Sequence, residues 1–294
     1  LTKKHGIPFG EVHMNPITAN TSTPPFLNVQ RSIYRFLWET PEERQPKPNI
    51  NLVGHFAPVD PKSELYRLLR KAGFQNICQV SACRRFEEFL EMRHSSCNIL
   101  LKPFGRLACG EMEQKLGIPY TKKYIRYRVE GVAESYRELG EFLGSELAYS
   151  SYYEESIEKI QAHRERLSSL RIAIGEEVNG SAFELACALA EYGAQIAFIV
   201  SSAVADYEWA YVNRLRQIDP EIPIYTSFHP TMALNNDIGV KADLAIGFDA
   251  FYICQSAKLM VLDSDAQHYG FEAVAALLDG IDEAMEANLC ARSL

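Results

Sequence analysis

The chain has 294 residues, of which 47% are hydrophobic and 23% charged, with a net charge of −8 and a pI near 5.5. That length exceeds the usual single domain, and the apolar content suffices for two cores. An acidic balance argues against a nucleic-acid partner, which needs a basic face, and no apolar run approaches the roughly 18 residues of a membrane span, so no membrane is expected.

Leu1–Gly6 is not followed by the apolar segment of a signal peptide. The chain opens without Met and reads as a piece of a longer one. Seven cysteines, at 78, 83, 97, 109, 187, 254 and 290, are odd in number and lack any CxxC spacing. A disulfide framework is therefore not expected, and a cytoplasmic location is.

Short β runs alternate with amphipathic helices. Asn51–Gly54 reads as a buried strand, and Asp60-Pro61 as the cap and first residue of a helix carrying Leu65, Leu68, Leu69 and Ala72. Gly73 closes that helix. Phe74–Val80 is the next strand, Ser81 caps a helix with Phe86, Phe89 and Leu90, and Asn98–Leu101 is a third strand. A helix ending at Gly117 leads into Lys123–Arg128. Ser150–Leu170 is polar and helical in period, and reads as a connecting helix. The alternation then restarts, with strands at 171–175, 195–200, 222–226, 243–247 and 258–263 and helices at 181–193, 206–217 and 271–288. The expected fold is α/β, two doubly wound parallel-sheet, Rossmann-like units at 1–148 and 149–294, the second including the connecting helix.

Open parallel sheets bind ligands at the carboxyl ends of their strands. Three such ends carry a glycine, and with it room for a sharp turn or a close approach. They are Gly54-His55-Phe56, the run from Gly175 and Glu176 to Asn179, and Gly247 with Asp249. These eight residues are the candidate cofactor-binding set, expected to open on a common cleft. The alternative is ordinary βα turns, with Asp249 and Asn179 as helix caps and His55 bonded to a neighbouring turn. No catalytic residue is assigned, because GxGxxG, the phosphate loop and the Gly-x-Ser-x-Gly elbow are all absent. Cys83, Cys97, Cys109, His229 and His268 are metal candidates by residue type alone; no second pair of matched spacing supports them.

Glu111-Met112-Glu113-Gln114-Lys115-Leu116-Gly117-Ile118-Pro119 resembles the "MEEK-x-GIP" stretch of nitrogenase component 1 subunits, followed by a turn at Gly131 and a helix from Tyr136. Asp243–Gly247, Ala257-Lys258 and Tyr269-Gly270-Phe271-Glu272-Ala273 resemble that family's last strand and its "GF-[DE]-G" closing motif; Asn51–Asp60 resembles its "IG-D" loop. The resemblance covers most of the chain. It implies a nitrogenase-like oxidoreductase component that pairs with a homologous subunit and accepts electrons from an ATP-dependent iron–sulfur reductase. An iron–sulfur cluster is implied only for the full-length complex. Departures matter: the family's "HGP-x-GC" segment is not in this sequence, Leu101 stands at the cofactor-cysteine position, Asp263 marks the region of the cofactor histidine, and Pro24-Pro25 replace a further histidine. A molybdenum-type cofactor site is therefore not expected. A non-enzymatic metal-chelate or tetrapyrrole binder, or a cofactor-assembly scaffold, is the other reading.

Overall fold

The structure, a computed structural model, describes residues 8–12, 25–55, 57–227, 229, 237–254, 257–263 and 268–287. Phe56, Cys290 and Pro24 lie outside the described residues. The chain forms two compact units, one of Leu1–Pro58 with Leu69–Tyr124, the other of Val59–Leu68 with Ile125–Leu294.

In the first unit, strands β1 (Lys47–Val53), β2 (Asn76–Cys78), β3 (Ser95–Leu100) and β4 (Tyr120–Lys122) lie in the order β2-β1-β3-β4. Every pairing is parallel. Helices α1 (Pro25–Tyr34) and α2 (Phe36–Glu39) precede the sheet; α3 (Glu64–Lys71), α4 (Phe86–Leu90) and α5 (Arg106–Leu116) connect its strands. Ile50, Leu52, Val53, Ile99 and Leu100 are buried, as two-sided cover of a parallel sheet requires.

The same strands carry buried amides. Asn51 faces Asn98 in register. Asn51 Nδ2 donates to Asn98 Oδ1 at 2.8 Å and to the Met92 carbonyl at 2.9 Å, and Ser95 Oγ donates to Asn51 Oδ1 at 2.8 Å. This satisfied polar ladder explains why the strand extends further than its apolar run predicts. Phe74–Val80 yields only three strand residues, because Val80–Ala82 turns into a 3-10 helix that includes Ser81. Asp60 is not a helix cap: its carboxylate accepts the Lys62 N–H at 2.8 Å, and the helix begins at Glu64.

The second unit holds β5 (Arg171–Ile174), β6 (Gln195–Val200), β7 (Ile224–Tyr225), β8 (Leu244–Ile246) and β9 (Lys258–Met260) in the order β7-β6-β5-β8-β9. All pairings are again parallel. Its helices are α6 (Val129–Leu143), α7 (Ser150–Ser168), α8 (Ala182–Tyr192), α9 (Trp209–Ile218), α10 (Phe248–Ile253) and α11 (Phe271–Glu286). Gly131, expected in a turn, lies inside α6. The helix expected as a connector, α7, packs on α8 and α11. No helix among the described residues is long and apolar enough to cross a membrane.

Two of the helices that begin without a side-chain cap of their own are α6 and α11. The residue before α6 is Arg128 and that before α11 is Gly270. Each borrows a buried glutamate. Glu184, on α8, accepts the N–H groups of Tyr127 at 2.8 Å and Arg128 at 2.9 Å. Glu64, at the start of α3, accepts those of Phe271 at 2.5 Å and Glu272 at 3.0 Å, and the Tyr136 hydroxyl at 2.7 Å. Glu272 returns the favour: its carboxylate accepts the Glu64 N–H at 3.0 Å and pairs with Arg67 at 2.6 Å. The rings of Tyr136, Tyr149, Tyr153 and Phe271 close over this junction, with neighbouring centroids 5.7–6.0 Å apart.

Gly270 is fixed by the same geometry. Its φ is 70°, and a Cβ there would overlap Glu64 Oε1 and the Tyr136 hydroxyl and lie 2.9 Å from Tyr136 Cζ. Gly270→Ala should therefore destabilise the chain by about 2–4 kcal/mol, combining left-handed backbone strain with overpacking; chemical denaturation measures it, and a loss under 1 kcal/mol would contradict the packing described.

Burial raises the Glu64 and Glu184 carboxyls to about 7, against the pull of their hydrogen bonds. In the unfolded chain such groups titrate near pH 4.3, so between these values the native state binds more protons. Their contribution to stability is complete below the unfolded value and is lost as pH rises through about 7. The melting temperature should fall between pH 5.5 and 8, and Glu184→Gln should flatten that slope. A melting temperature that rises across this window would contradict it.

Candidate functional site

Each sheet has one place where successive strands leave in opposite directions, and crevices form there outside the carboxyl ends. In the first unit it lies between β1 and β3, and in the second between β5 and β8. Gly54 and His55 follow β1. Gly175 follows β5 and Gly247 follows β8.

At the first switch point, Gly54 lets β1 press against the end of β3. A Cβ on Gly54 would lie 2.5 Å from the Lys102 carbonyl oxygen, and one on Gly105 would lie 2.8 Å from Val53 Cγ1. The Leu101 N–H donates to the Val53 carbonyl at 2.9 Å. His55 is 5% exposed, and its Nδ1 lies 2.5 Å from the Ala57 carbonyl. That carbonyl can only accept, so Nδ1 donates in this contact. Two further buried cations stand at this edge: Lys102 beyond β3 and Lys123 beyond β4. They were not among the expected site residues. The clue was a lysine directly after an apolar strand, Asn98-Ile99-Leu100-Leu101-Lys102.

The second switch point is acidic. Asp249, in the first turn of α10, reaches back and accepts the Glu176 N–H through Oδ2 at 2.5 Å. Its Oδ1 is buried without a hydrogen-bond partner. Glu176 in turn accepts the Ser202 hydroxyl beyond β6. Asn179 is buried; its N–H donates to the Leu262 carbonyl beyond β9 at 2.7 Å and its carbonyl accepts the Tyr127 hydroxyl at 2.7 Å. Gly175, Glu176, Gly247 and Asp249 are thus brought together, with Asn179 fastening the same loop to the next strand. The glycines are explained from within: a Cβ on Gly175 would overlap Asp249 Oδ1 and lie 2.7 Å from its Cγ, and one on Gly247 would lie 2.9 Å from Oδ1. Asp249 acts across to the β5 loop rather than as the residue preceding α10.

The metal candidates do not converge. His229 and His268 are exposed. Among the described residues no three His, Cys, Asp or Glu side chains gather as a metal site. Cys97 and Cys109 are buried free thiols and Cys83 is half-buried. Burial pushes the Cys78 and Cys97 thiols to about 11 and the Cys83 and Cys109 thiols upward as well, away from the thiolate that binds metal.

Gly175→Ala should cost about 1–3 kcal/mol by overpacking against Asp249. The same change in an Asp249→Ala background should cost much less, because the clashing carboxylate is gone. A double-mutant cycle measures this; additive costs would contradict the contact.

Comparison with known proteins extends over nearly the whole chain. The sequence model of the family described as "Nitrogenase component 1 type Oxidoreductase" matches residues 2–284. No curated protein matches. The solved structure titled "Nitrogenase Cp1 at pH 6.5" superposes with a TM-score of 0.63 at 16% identity, covering 89% of this chain and 64% of that one. "Nitrogenase Cp1 at pH 5" superposes with a TM-score of 0.62 at 13% identity, covering 97% and 66%. The chain thus spans a little under two thirds of those proteins, and the structural likeness speaks to fold alone. With the family match spanning both parallel-sheet units, the chain belongs to the nitrogenase component 1 type oxidoreductases.

Proposed function

We propose that this chain is part of a nitrogenase-like reductase, which works in the cytoplasm beside a homologous subunit. It accepts electrons from an ATP-dependent iron–sulfur partner and delivers them to a substrate held at the strand-end crevices. The observation that carries this reading is the family match over residues 2–284. The crevices add chemistry. His55, Lys102 and Lys123 at the first edge suit an anionic group. Glu176 and Asp249 at the second suit a cation or hydrogen-bond donor, and Asn179 steadies their loop.

The family implies an iron–sulfur cluster. The described residues do not fit one: Leu101, fully buried, stands at the expected cofactor-cysteine position, no three of the described thiols, imidazoles and carboxylates gather as a metal site, and burial pushes the Cys97 and Cys109 thiols up, away from the thiolate. No step is therefore assigned to a cluster on these residues. A molybdenum-type cofactor site has the same difficulty.

A second reading is a non-enzymatic binder of a metal chelate or tetrapyrrole, or an assembly scaffold. Phe248 and Tyr252, one turn apart on α10, are 53% and 54% exposed and present a flat apolar face beside the second edge.

The chain prepared alone under anaerobic conditions should contain no stoichiometric iron or acid-labile sulfide; finding both would overturn the reading of its cysteines. In the full assembly, His55→Ala and Asp249→Ala should each lower partner-dependent reduction at least about tenfold, with far-ultraviolet circular dichroism unchanged. Full activity in both folded variants would make them structural residues only. A tetrapyrrole absorption spectrum in the purified assembly, with no electron uptake, would favour the second reading.

A further inference from the structure

The first unit holds a polar pair that neither crevice uses. Gln30 and Tyr34 lie one helical turn apart on α1, and both are 0% exposed. Neither Gln30 Nε2, Gln30 Oε1 nor the Tyr34 hydroxyl has a hydrogen-bond partner. Around Tyr34 the core is apolar: Leu37, Val53, Met92, Leu100 and Ala108, with the Phe89 ring centroid at 6.0 Å. The Cys83 thiol beside it already donates to the Gln79 carbonyl at 3.3 Å. Helix α1 packs on α5 and on the Pro103–Gly105 turn, so the pair faces the interior behind β1 and β3.

Leaving a buried amide and a buried hydroxyl without partners forfeits the hydration each had in water. Native interiors avoid this, and the usual remedy is an internal molecule that bonds to several such groups at once. We propose that Gln30 and Tyr34 form an internal binding site for a neutral, water-sized molecule that both donates and accepts hydrogen bonds, water itself being the occupant. Spacing supports a shared occupant. Residues four apart on a helix are neighbours on one face, so their side chains can reach a common occupant. The chemistry excludes ions. Gln30 offers a neutral donor and a neutral acceptor, and burial with the neighbouring Cys109 and Cys83 thiols keeps the Tyr34 phenol protonated. Among the described residues no three His, Cys, Asp or Glu side chains gather as a metal site.

The sign of a substitution tests this. If the amide truly lacks a partner, Gln30→Met removes a penalty and raises the melting temperature. If it holds an internal water, the same change strands that water and lowers it. We expect Gln30→Met and Tyr34→Phe each to lower the melting temperature of the chain, and the double variant to fall by less than the sum, because one occupant serves both. A rise for Gln30→Met, or strictly additive losses, would overturn the site. Should a variant fail to fold, a high-resolution structure of the unaltered chain decides: ordered density within about 3 Å of both Gln30 and the Tyr34 hydroxyl supports it, and its absence refutes it.

Discussion

Two helix starts in the second unit are held by buried glutamates remote in sequence, and much of the architecture follows from those contacts. Arg128 and Gly270 occupy the cap positions of α6 and α11. The carboxylates come from elsewhere, Glu184 on α8 and Glu64 on α3. A buried carboxylate is costly unless several donors converge on it. Here they do, so each glutamate fixes the position and direction of a helix remote in sequence. Glu64 is 207 residues from Phe271. The reciprocal bond from Glu64 N–H to Glu272 makes the junction a pair of helix starts that cap each other. It also leaves no space for a side chain at Gly270, which gives a physical reason for glycine in the Gly270-Phe271-Glu272 phrase.

The strand ends differ in charge although the two sheets share a plan. His55, Lys102 and Lys123 line the first edge, and Glu176 and Asp249 the second. At the second edge the place of an external anion is taken by the Asp249 carboxylate, which binds a loop N–H that a phosphate would otherwise seek. The absence of a phosphate-binding glycine fingerprint agrees with this arrangement. The other carboxylate oxygen, Oδ1, is buried against Gly175 and Gly247.

The parallel alternation was legible because buried strands read as short apolar runs, as at Arg171–Gly175, which ends in glycine, and Gln195–Val200. The fold and the family phrase at Glu111–Pro119 follow from such local patterns. Longer-range chemistry was not legible. Nothing around Glu64 or Glu184 in sequence indicates a cap for a helix many residues away. The polar starts of two strands, Lys47–Ile50 and Ser95–Cys97, lie outside the apolar runs that marked them, and Lys102 looks like a surface lysine until its strand end is placed. Gly175 and Gly247 read from the sequence as places for a sharp turn or the close approach of a ligand; in the structure the group that approaches them is Asp249 of the same chain. Helix α10 escaped notice because six residues give too little periodicity to register.

The central claim is that this family member receives electrons in an ATP-dependent way. The most direct measurement mixes its full assembly anaerobically with the reduced iron–sulfur reductase partner and follows oxidation of that partner by absorbance, with and without ATP. Oxidation that requires both ATP and this chain is the predicted result. A partner that stays reduced in the presence of ATP and the intact assembly would contradict it.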